Sequence, residues 1–290
     1  MRWGLPMADH VTLFEMGPRD GLQNEKVPIA TEDKIRLVDL LTACGLAKIE
    51  TASFVNPERV PQMADGAEVL AGIQRGKALY TALTPNLKGY ERARSANVDE
   101  VAIFASASEG FSRANINCSI AESLERFLPV MQAAAADRLP VRGYVSCVVN
   151  CPYDGPTPPA SVARLTVSLL AMGCYEVSLG DTTGKAEPGA IAAMLDAVLG
   201  DVPATRLAGH YHDTGGRALD NILVSLERGL RTFDSSIAGL GGCPYAPGAR
   251  GNVATERVVE RLETLGLATG VDRERLEDAA HFARGLGSGT

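Results

Sequence analysis

Short runs of apolar residues alternate with longer amphipathic stretches along the whole chain, and this rhythm predicts a repeated strand-helix unit. The predicted strands are Val11–Gly17, Lys48–Phe54, Ala78–Leu83, Glu100–Ala105, Val141–Val149, Tyr175–Asp181, Arg206–His212 and Thr232–Ala238. The predicted helices are Glu32–Ala43, Ala121–Ala136, Pro159–Met172, Pro188–Leu199, Arg217–Gly229, Ala254–Leu265 and Arg273–Arg284. Eight strands alternating with helices indicate an α/β protein whose sheet closes into a TIM (β/α)8 barrel.

The length of the chain suits one such barrel, because 290 residues with 46% hydrophobic composition can bury a large core. We therefore expect a single catalytic domain over residues 1–290, with the barrel at about 11–266 and an extra C-terminal helix at about 272–285. The main alternative is an open, doubly wound sheet. A G-x-G-x-x-G turn after the first strand would favour that alternative, and the sequence has none there.

Composition and charge exclude several functional classes. The net charge of -7, with both signs mixed along the chain, argues against a nucleic-acid partner. No apolar stretch approaches the roughly 18 residues of a membrane span, and the first ten residues do not resemble a signal peptide. We therefore expect a cytoplasmic protein without membrane attachment. The six cysteines form no C-x-x-C pair, which predicts reduced thiols rather than disulfides or structural zinc.

Polar residues lie where the predicted strands end, and the active site of a (β/α)8 barrel is found at those carboxyl ends. The candidates are segment 17–25 after the first strand, Glu50 and Ser53 on the second, segment 210–213 on the seventh, and loop 239–245 after the eighth. His210 and His212 are two residues apart on one strand, so both side chains point to the same face and can reach one cation. The alternative is a pair of histidines hydrogen-bonded within a loop.

Oxygen ligands for such a cation are available elsewhere in the chain. Asp20 would supply a carboxylate at the end of the first strand, although an Arg-Asp-Gly sequence also fits a surface turn. Asn252 would add a further oxygen, and its alternative role is to cap the helix after the eighth strand. Imidazoles and oxygens with room left for substrate suit Mg²⁺, Mn²⁺ or Co²⁺, whereas a structural zinc site is closed by four protein ligands.

Cys243 lies in a glycine-rich loop after the eighth strand, and glycines there permit close approach of the backbone to a ligand and some movement. Its thiol would donate or accept a proton, and near a cation its pKa would fall. The alternative is a small buried side chain in a tight turn.

Six segments distributed over the chain carry a family resemblance. They are 17–25 (GPRDGLQNE), 49–55 (IETASFV), 84–89 (TPNLKG), 115–119 (NINCS), 142–147 (RGYVSC) and 239–245 (GLGGCPY). Together they closely resemble the 3-hydroxy-3-methylglutaryl-CoA lyase family, from about Val11 to Phe282. Isopropylmalate and citramalate synthases and 4-hydroxy-2-oxovalerate aldolases share the arginine-aspartate pair and the H-x-H motif, whereas the cysteine loop separates the lyases from these relatives.

The resemblance implies a role for each candidate residue. The metal ligands would be Asp20, His210, His212 and Asn252, holding Mg²⁺ or Mn²⁺. The other catalytic and substrate-binding residues would be Arg19, Gln23, Glu50, Ser53 and Cys243. Arg19 would face the thioester oxygen, Glu50 would orient Arg19 or a metal-bound group, and Cys243 would be the catalytic thiol of the loop.

The implied reaction is metal-dependent cleavage of 3-hydroxy-3-methylglutaryl-CoA to acetyl-CoA and acetoacetate, in leucine degradation and ketone-body formation. Asp20 or His210 would relay the hydroxyl proton, Arg19 would stabilise the enolate oxygen, and Cys243 would protonate the acetyl-CoA carbanion. A homodimer is the expected assembly. The alternatives are a lyase for a larger 3-hydroxy-3-alkylglutaryl-CoA, a short-chain 4-hydroxy-2-oxo acid aldolase, and a barrel that has lost turnover.

Two of the positions that depart from the family pattern lie beside the candidate ligands. Tyr211 replaces a common cysteine, but strand alternation turns it away from the metal. Arg250 stands where serine or threonine is usual, two residues before Asn252. Its positive charge would either disfavour a metal ion or help to bind an anionic substrate.

Overall fold

The computed structural model describes residues 9–241 and 251–286. In these ranges, strands β1 to β10 are Thr12–Glu15, Lys48–Ser53, Leu79–Leu83, Glu100–Ser106, Val141–Ser146, Asn150–Cys151, Gly155–Pro156, Glu176–Asp181, Leu207–Tyr211 and Thr232–Ser235. Helices α1 to α10 are Thr31–Ala43, Gly66–Gly72, Leu87–Ser95, Glu109–Ile116, Ile120–Asp137, Pro159–Met172, Pro188–Leu199, Ala218–Glu227, Thr255–Thr264 and Arg273–Gly285.

Eight of these strands close into a parallel barrel in the order β1-β10-β9-β8-β5-β4-β3-β2. Strand β1 completes the ring because it pairs in parallel with both β2 and β10. The short strands β6 and β7 form an antiparallel hairpin of their own. The predicted (β/α)8 barrel with an extra C-terminal helix is therefore confirmed, and the closed sheet excludes the open doubly wound alternative.

Most predicted element boundaries agree with the structure to within two residues, but three strands end earlier than predicted. Strand β10 ends at Ser235 rather than Ala238, where a short helical turn, Ile237–Gly239, follows. Helices α6 and α7 have the predicted ends, whereas the short helices α2, α3 and α4 are additional to the predicted set. Strand β1 ends at Glu15 because the chain then enters a wide helical turn. Strand β5 ends at Ser146 because Cys147 has a positive φ of 60°, which an extended strand does not accommodate.

Local sequence signals explain where several helices begin and end. Helix α5 starts with a capping box, in which Ser119 and Glu122 each bond the backbone of the other. Helix α6 starts at Pro159 and is followed by Gly173, whose φ of 114° favours glycine. The last helix, α10, is fixed to α1 by a 3.0 Å bond from Arg275 Nη1 to the carbonyl of Ala43. None of the described helices is long and apolar enough to cross a membrane.

The barrel strands separate two environments because successive side chains point to opposite faces. Outward residues such as Ile49, Val101 and Phe233 are fully buried in one continuous apolar core beneath the helices. Inside the barrel, a small apolar cluster contains Phe14, Met16, Leu83, Ala102 and Tyr144. Buried charged residues also lie in this interior, below the carboxyl ends of the strands.

Candidate metal centre and active site

Arg19 and Asp20 lie on one wide helical turn, Gly17–Gly21, that directly follows β1. The amide of Gly21 donates to the carbonyl of Met16, five residues earlier, at 3.1 Å, which is the hydrogen-bond spacing of a π-helix. Glycine is required at position 17, since a Cβ there would lie only 2.8 Å from Ile237 Cγ2. The turn therefore packs tightly on the end of the barrel and holds both polar side chains at its mouth.

The Arg19 guanidinium lies between two carboxylates. Its Nε donates to Glu50 Oε2, and its Nη1 donates to Asp20 Oδ1 at 2.6 Å. Glu50 is fully buried inside the barrel and also accepts a 3.0 Å hydrogen bond from the Tyr144 hydroxyl. This arrangement is the one expected of a glutamate that orients Arg19.

The two histidines face the same side of the sheet, as the sequence predicts. His210 is the fourth residue of β9 and His212 follows the end of the strand, and their ring centroids are 5.3 Å apart. Tyr211, between them, points the other way, where its hydroxyl lies 2.8 Å from Ser225 Oγ in the apolar core. The prediction that Tyr211 turns away from the candidate ligands is confirmed.

Asp20 meets the two histidines at one point. One ligand atom from each of Asp20, His210 and His212 lies within 4.8 Å of the other two. The Asp20 side chain is only 21% exposed, so the surface-turn alternative for this residue is wrong. Burial raises its pKa, but the charge of Arg19, the two histidines and the hydrogen bond from Asn252 together outweigh that effect and hold the pKa of Asp20 well below its usual range.

Asn252 joins this group from a distant part of the chain. Its backbone forms an antiparallel bridge with His212, and its Nδ2 donates to Asp20 Oδ2 at 2.7 Å. The helix-cap alternative is wrong, because α9 begins at Thr255 and Ala254 occupies the N-cap position. Within the described chain, Asn252 Oδ1 is buried without a hydrogen-bond partner.

These residues fit a divalent cation. The carboxylate, the two imidazoles and the Asn252 Oδ1 atom form a donor set that suits Mg²⁺, Mn²⁺ and related ions. His212 Nδ1 is, like Asn252 Oδ1, buried with no partner in residues 9–241 and 251–286, and a buried unpaired polar atom is costly. Burial, together with the nearby His210, lowers the pKa of His212 to about 4. His212 is therefore neutral at pH 7, the form that binds a metal.

Behind His210 lies a buried pair, Asp234 and Arg142, that the sequence pattern did not single out. Arg142 Nη1 and Nη2 donate to the two Asp234 oxygens at 3.0 and 2.8 Å, and Asp234 Oδ2 also lies 3.1 Å from His210 Nδ1. Burial raises the pKa of Asp234, but the charge of Arg142 and the hydrogen bonds with Arg142 and His210 together lower it to about 2. The available signal was the inward register of Asp234 on the strand next to that of His210.

Arg19, Asp20 and both histidines line a cavity of about 930 Å³. Its apolar lining includes Leu83, Phe104, Phe111, Ile116 and Phe127, and its polar lining includes Asn56, Arg59, Asn86, Asn115 and Arg126. Gln23 also lines the cavity, as expected of a substrate contact. Of the other predicted residues, Glu50 lies behind Arg19, and Ser53 is buried without reaching the described cavity wall.

Cys243 and Arg250 lie outside the described residues, as does the rest of segment 242–250. Gly241, the last residue before that segment, lies against the candidate metal centre, since a Cβ on it would be 3.0 Å from Asn252 Nδ2 and 3.3 Å from the Asp20 carbonyl oxygen. The chain thus enters the segment beside the proposed ligands. The roles of Cys243 and Arg250 stay predictions.

Known proteins share both this sequence and this fold. Residues 10–283 match the HMGL-like family. The chain is 60% identical over 270 residues to a Pseudomonas aeruginosa protein named 3-hydroxy-3-isohexenylglutaryl-CoA/hydroxy-methylglutaryl-CoA lyase, and the match covers 93% of this chain and 90% of the relative.

Two solved structures extend the likeness to the whole barrel. An HMG-CoA lyase from Brucella melitensis has a TM-score of 0.96 and 60% identity, covering 97% of this chain and 100% of that one. An HMG-CoA lyase from Acinetobacter baumannii, solved with coenzyme A and 3-methylmalate, has a TM-score of 0.92 and 36% identity, covering 98% of this chain and 93% of that one. Sequence, barrel and ligand cluster agree, and the chain belongs to the HMGL-like family, among the hydroxymethylglutaryl-CoA lyases.

Proposed function

We propose that this protein is a divalent-cation-dependent lyase that cleaves 3-hydroxy-3-methylglutaryl-CoA to acetyl-CoA and acetoacetate. The observation that carries the proposal is that the Asp20, His210 and His212 cluster and the Arg19 guanidinium line the same cavity. A cation site beside a guanidinium can stabilise negative charge on both sides of the breaking carbon-carbon bond. Membership of the HMGL-like family supports the acyl-CoA substrate class.

The cation, which we propose to be Mg²⁺ or Mn²⁺, would be held by Asp20, His210, His212 and Asn252. When bound, it supplies Lewis-acid chemistry, in which a substrate oxygen is polarised and the pKa of its hydroxyl group falls. Arg19 and Asn252 donate to the two different oxygens of Asp20, so this carboxylate is fixed in place without a ligand. Its depressed pKa keeps it ionised, as a ligand must be.

Arg19 would bind the thioester oxygen of the substrate, where negative charge grows as the C2-C3 bond breaks. Glu50 and Asp20 hold two of its nitrogens, so the guanidinium is oriented before the substrate arrives. Preorganised donors of this kind stabilise a transition state because they need little reorganisation during the reaction. Glu50 is thereby a residue that acts through Arg19.

The reaction transfers one proton from the 3-hydroxyl group to C2. The hydroxyl proton would pass to Asp20 or His210, the C2-C3 electron pair would form the enolate of acetyl-CoA, and C3 would become the ketone carbon of acetoacetate. We assign the return of a proton to C2 to Cys243. The proton held by Asp20 or His210 would then pass to the Cys243 thiolate before the next turnover, so atoms and charge balance without a further reactant.

A larger 3-hydroxy-3-alkylglutaryl-CoA is the second candidate substrate, and the apolar lining of the cavity favours it. Phe104, Phe111 and Phe127 are available to cover an alkyl group, at roughly 0.8 kcal/mol for each buried methylene. The Pseudomonas relative is named for an isohexenyl substrate as well as for the methyl one. The ratio of kcat/KM for these two substrates shows which acyl group this cavity prefers.

Product analysis tests the proposed reaction. The protein is incubated with 3-hydroxy-3-methylglutaryl-CoA and Mg²⁺ or Mn²⁺, with and without a chelator, and both products are quantified by mass spectrometry. We expect equal amounts of acetyl-CoA and acetoacetate, formed only without chelator. Cleavage of a 4-hydroxy-2-oxo acid instead would favour the aldolase alternative, and inactivity on all of these substrates would favour a barrel that has lost turnover.

Two further expectations stay predictions, a homodimer and a cytoplasmic location. Light scattering during size-exclusion chromatography tests the first, since a dimer has twice the 30.6 kDa mass of one chain. Fractionation of cells that produce the protein tests the second.

A further inference from the structure

The Nδ1 atom of the His210 ring has a hydrogen-bond partner. Asp234 lies opposite it on the neighbouring strand β10, and Oδ2 of this aspartate is 3.1 Å from His210 Nδ1. His210 is about one-eighth exposed and Asp234 is fully buried, so water does not compete for this contact from the Asp234 side. The hydrogen bond therefore defines which way the imidazole is presented.

Asp234 is itself held by donors alone. Arg142 donates to both of its oxygens, and Ser178 Oγ donates to Oδ2 at 2.7 Å. A carboxylate surrounded by donors can only accept a hydrogen bond from the imidazole, so Nδ1 of His210 must carry the proton. In a neutral imidazole the other nitrogen, Nε2, then has the free lone pair.

Arg142 is fixed as firmly as Asp234. Besides its two bonds to Asp234, its Nε donates to Glu176 Oε1 at 2.9 Å, and its Nη1 lies 3.2 Å from the Tyr144 hydroxyl. The side chain is 1% exposed. Because its planar guanidinium is bonded along its whole edge, Arg142 can hold the Asp234 carboxylate in one orientation.

We propose that Asp234 is a positioning residue that locks His210 in the tautomer with a proton on Nδ1 and presents Nε2 to the cation, while Arg142 and Ser178 hold Asp234. The presentation to a cation rests on the proposed function, whereas the tautomer is a property of the metal-free protein. Outer partners of metal-bound histidines commonly fix the tautomer and ring orientation in this way. His212 offers an internal contrast, since its Nδ1 has no partner among the residues that the structure describes.

Nitrogen-15 NMR of the metal-free protein tests the tautomer directly. The chain contains four histidines, and the spectrum of His210→Ala identifies the signal of His210. At a pH where the imidazole is neutral, we expect a protonated Nδ1 and an unprotonated Nε2. A His210 signal with the proton on Nε2, or with both tautomers equally populated, would overturn the proposal without any reference to metal.

A pair of matched variants tests the consequence for the cation. Asp234→Asn keeps the shape of the side chain but removes its negative charge and replaces one acceptor oxygen with a donor, whereas Glu176→Gln removes the other carboxylate of Arg142 and leaves the His210 contact intact. We expect the Mn²⁺ dissociation constant, measured by titration calorimetry, to rise about 10- to 100-fold in Asp234→Asn. In Glu176→Gln it should stay near that of the unmodified protein.

If Asp234→Asn and Glu176→Gln weaken Mn²⁺ binding equally, Arg142 and its carboxylate partners merely support the barrel. The proposed positioning role of Asp234 would then be wrong. If Asp234→Asn does not fold, the NMR measurement on the unmodified protein still decides the proposal. If the unmodified protein binds no Mn²⁺, the proposed metal-dependent function is wrong. The NMR result on the His210 tautomer would still hold, because it is measured without metal.

Discussion

The two faces of the barrel strands differ in their chemistry. On β5, Val141 faces the helices as part of the continuous apolar core, whereas its neighbour Arg142 faces the interior and bonds two carboxylates. On β10, Phe233 faces outward and Asp234 inward, and both are buried. A single strand thus contributes to packing with one face and to the candidate active site with the other.

This difference implies that stability and activity should respond to different substitutions. Outward apolar side chains stabilise the fold in proportion to the area that they remove from water. The interior charges offer less net stability, because the desolvation of a buried ion offsets much of its attraction to its partner. Their contribution is a fixed geometry around the candidate ligands, and four variants can test this separation.

Loss of both candidate histidine ligands should have the largest effect. His210→Ala plus His212→Ala leaves Asp234 paired with Arg142 and Ser178, so we expect the barrel to fold. Calorimetry should show no saturable Mn²⁺ binding, and the product assay should show no turnover. Mn²⁺ affinity equal to that of the unmodified protein would place the cation elsewhere.

Arg19→Gln should lower kcat by about 10²- to 10³-fold, because it removes a preorganised donor to the developing enolate oxygen. The candidate ligand cluster does not include Arg19, so we expect Mn²⁺ binding to persist. Steady-state kinetics and calorimetry on the same preparation separate the two effects. Turnover at the unmodified rate would remove Arg19 from the mechanism.

A substitution on the outer face should show the opposite behaviour. Leu169 of α6 is fully buried and packs behind β5. Its Cδ1 lies so close to Gly143 that a Cβ added to this glycine would be only 3.2 Å away. Leu169→Ala should lower the free energy of unfolding by about 2–5 kcal/mol, since it leaves a cavity. Urea unfolding measures the loss, while kcat and KM at 25 °C should be unchanged. A large fall in kcat would mean that the two faces are not independent.

The smallest effect is expected at Glu15, a carboxylate that interrupts the apolar face of β1. It is fully buried and accepts hydrogen bonds from the amides of Gly17 and Ile237 and from the Thr255 hydroxyl. Burial raises its pKa from 4.5 to about 7. Between these pH values the unfolded chain has released the proton that the folded protein keeps, so this group makes the free energy of unfolding fall as pH rises.

Glu15→Gln should remove that slope, which is at most about 1.4 kcal/mol per pH unit. Urea unfolding of both proteins at pH 5 and pH 7.5 provides the measurement, and the glutamine variant should gain stability relative to the unmodified protein at the higher pH. A difference between the two proteins that does not change with pH would show that Glu15 does not titrate in this range.

The fold could be predicted because parallel strands beneath helices are apolar and end at glycine or polar residues. The errors at β1 and β5 have one physical cause. Met16, Val148 and Val149 continue the apolar runs, and the first two are fully buried, yet they lie beyond the strand ends. Hydrophobic periodicity records burial, and burial extends past the point where strand pairing stops.

The candidate site could be predicted where its geometry is local. His210 and His212 share a face because they are two residues apart, and this holds in any strand. The contact between Arg142 and Asp234 joins residues 92 positions apart, and it depends on the closure and register of the whole barrel. The bridge from Asn252 to His212 likewise requires the three-dimensional fold, which is why a helix cap was a reasonable local alternative.

The bonding of Arg142 to both Glu176 and Asp234 also bears on how sequences of this fold can diverge. A neutral residue at position 234 would leave Arg142 with Glu176 as its remaining carboxylate partner, and a buried cation that has lost part of its compensation is costly. Replacing both Arg142 and Asp234 with apolar residues of matching volume would cost less stability than the sum of the two single changes. The two positions are therefore epistatic. Evolutionary change here is therefore expected to be correlated, with Arg142 and Asp234 retained or lost together.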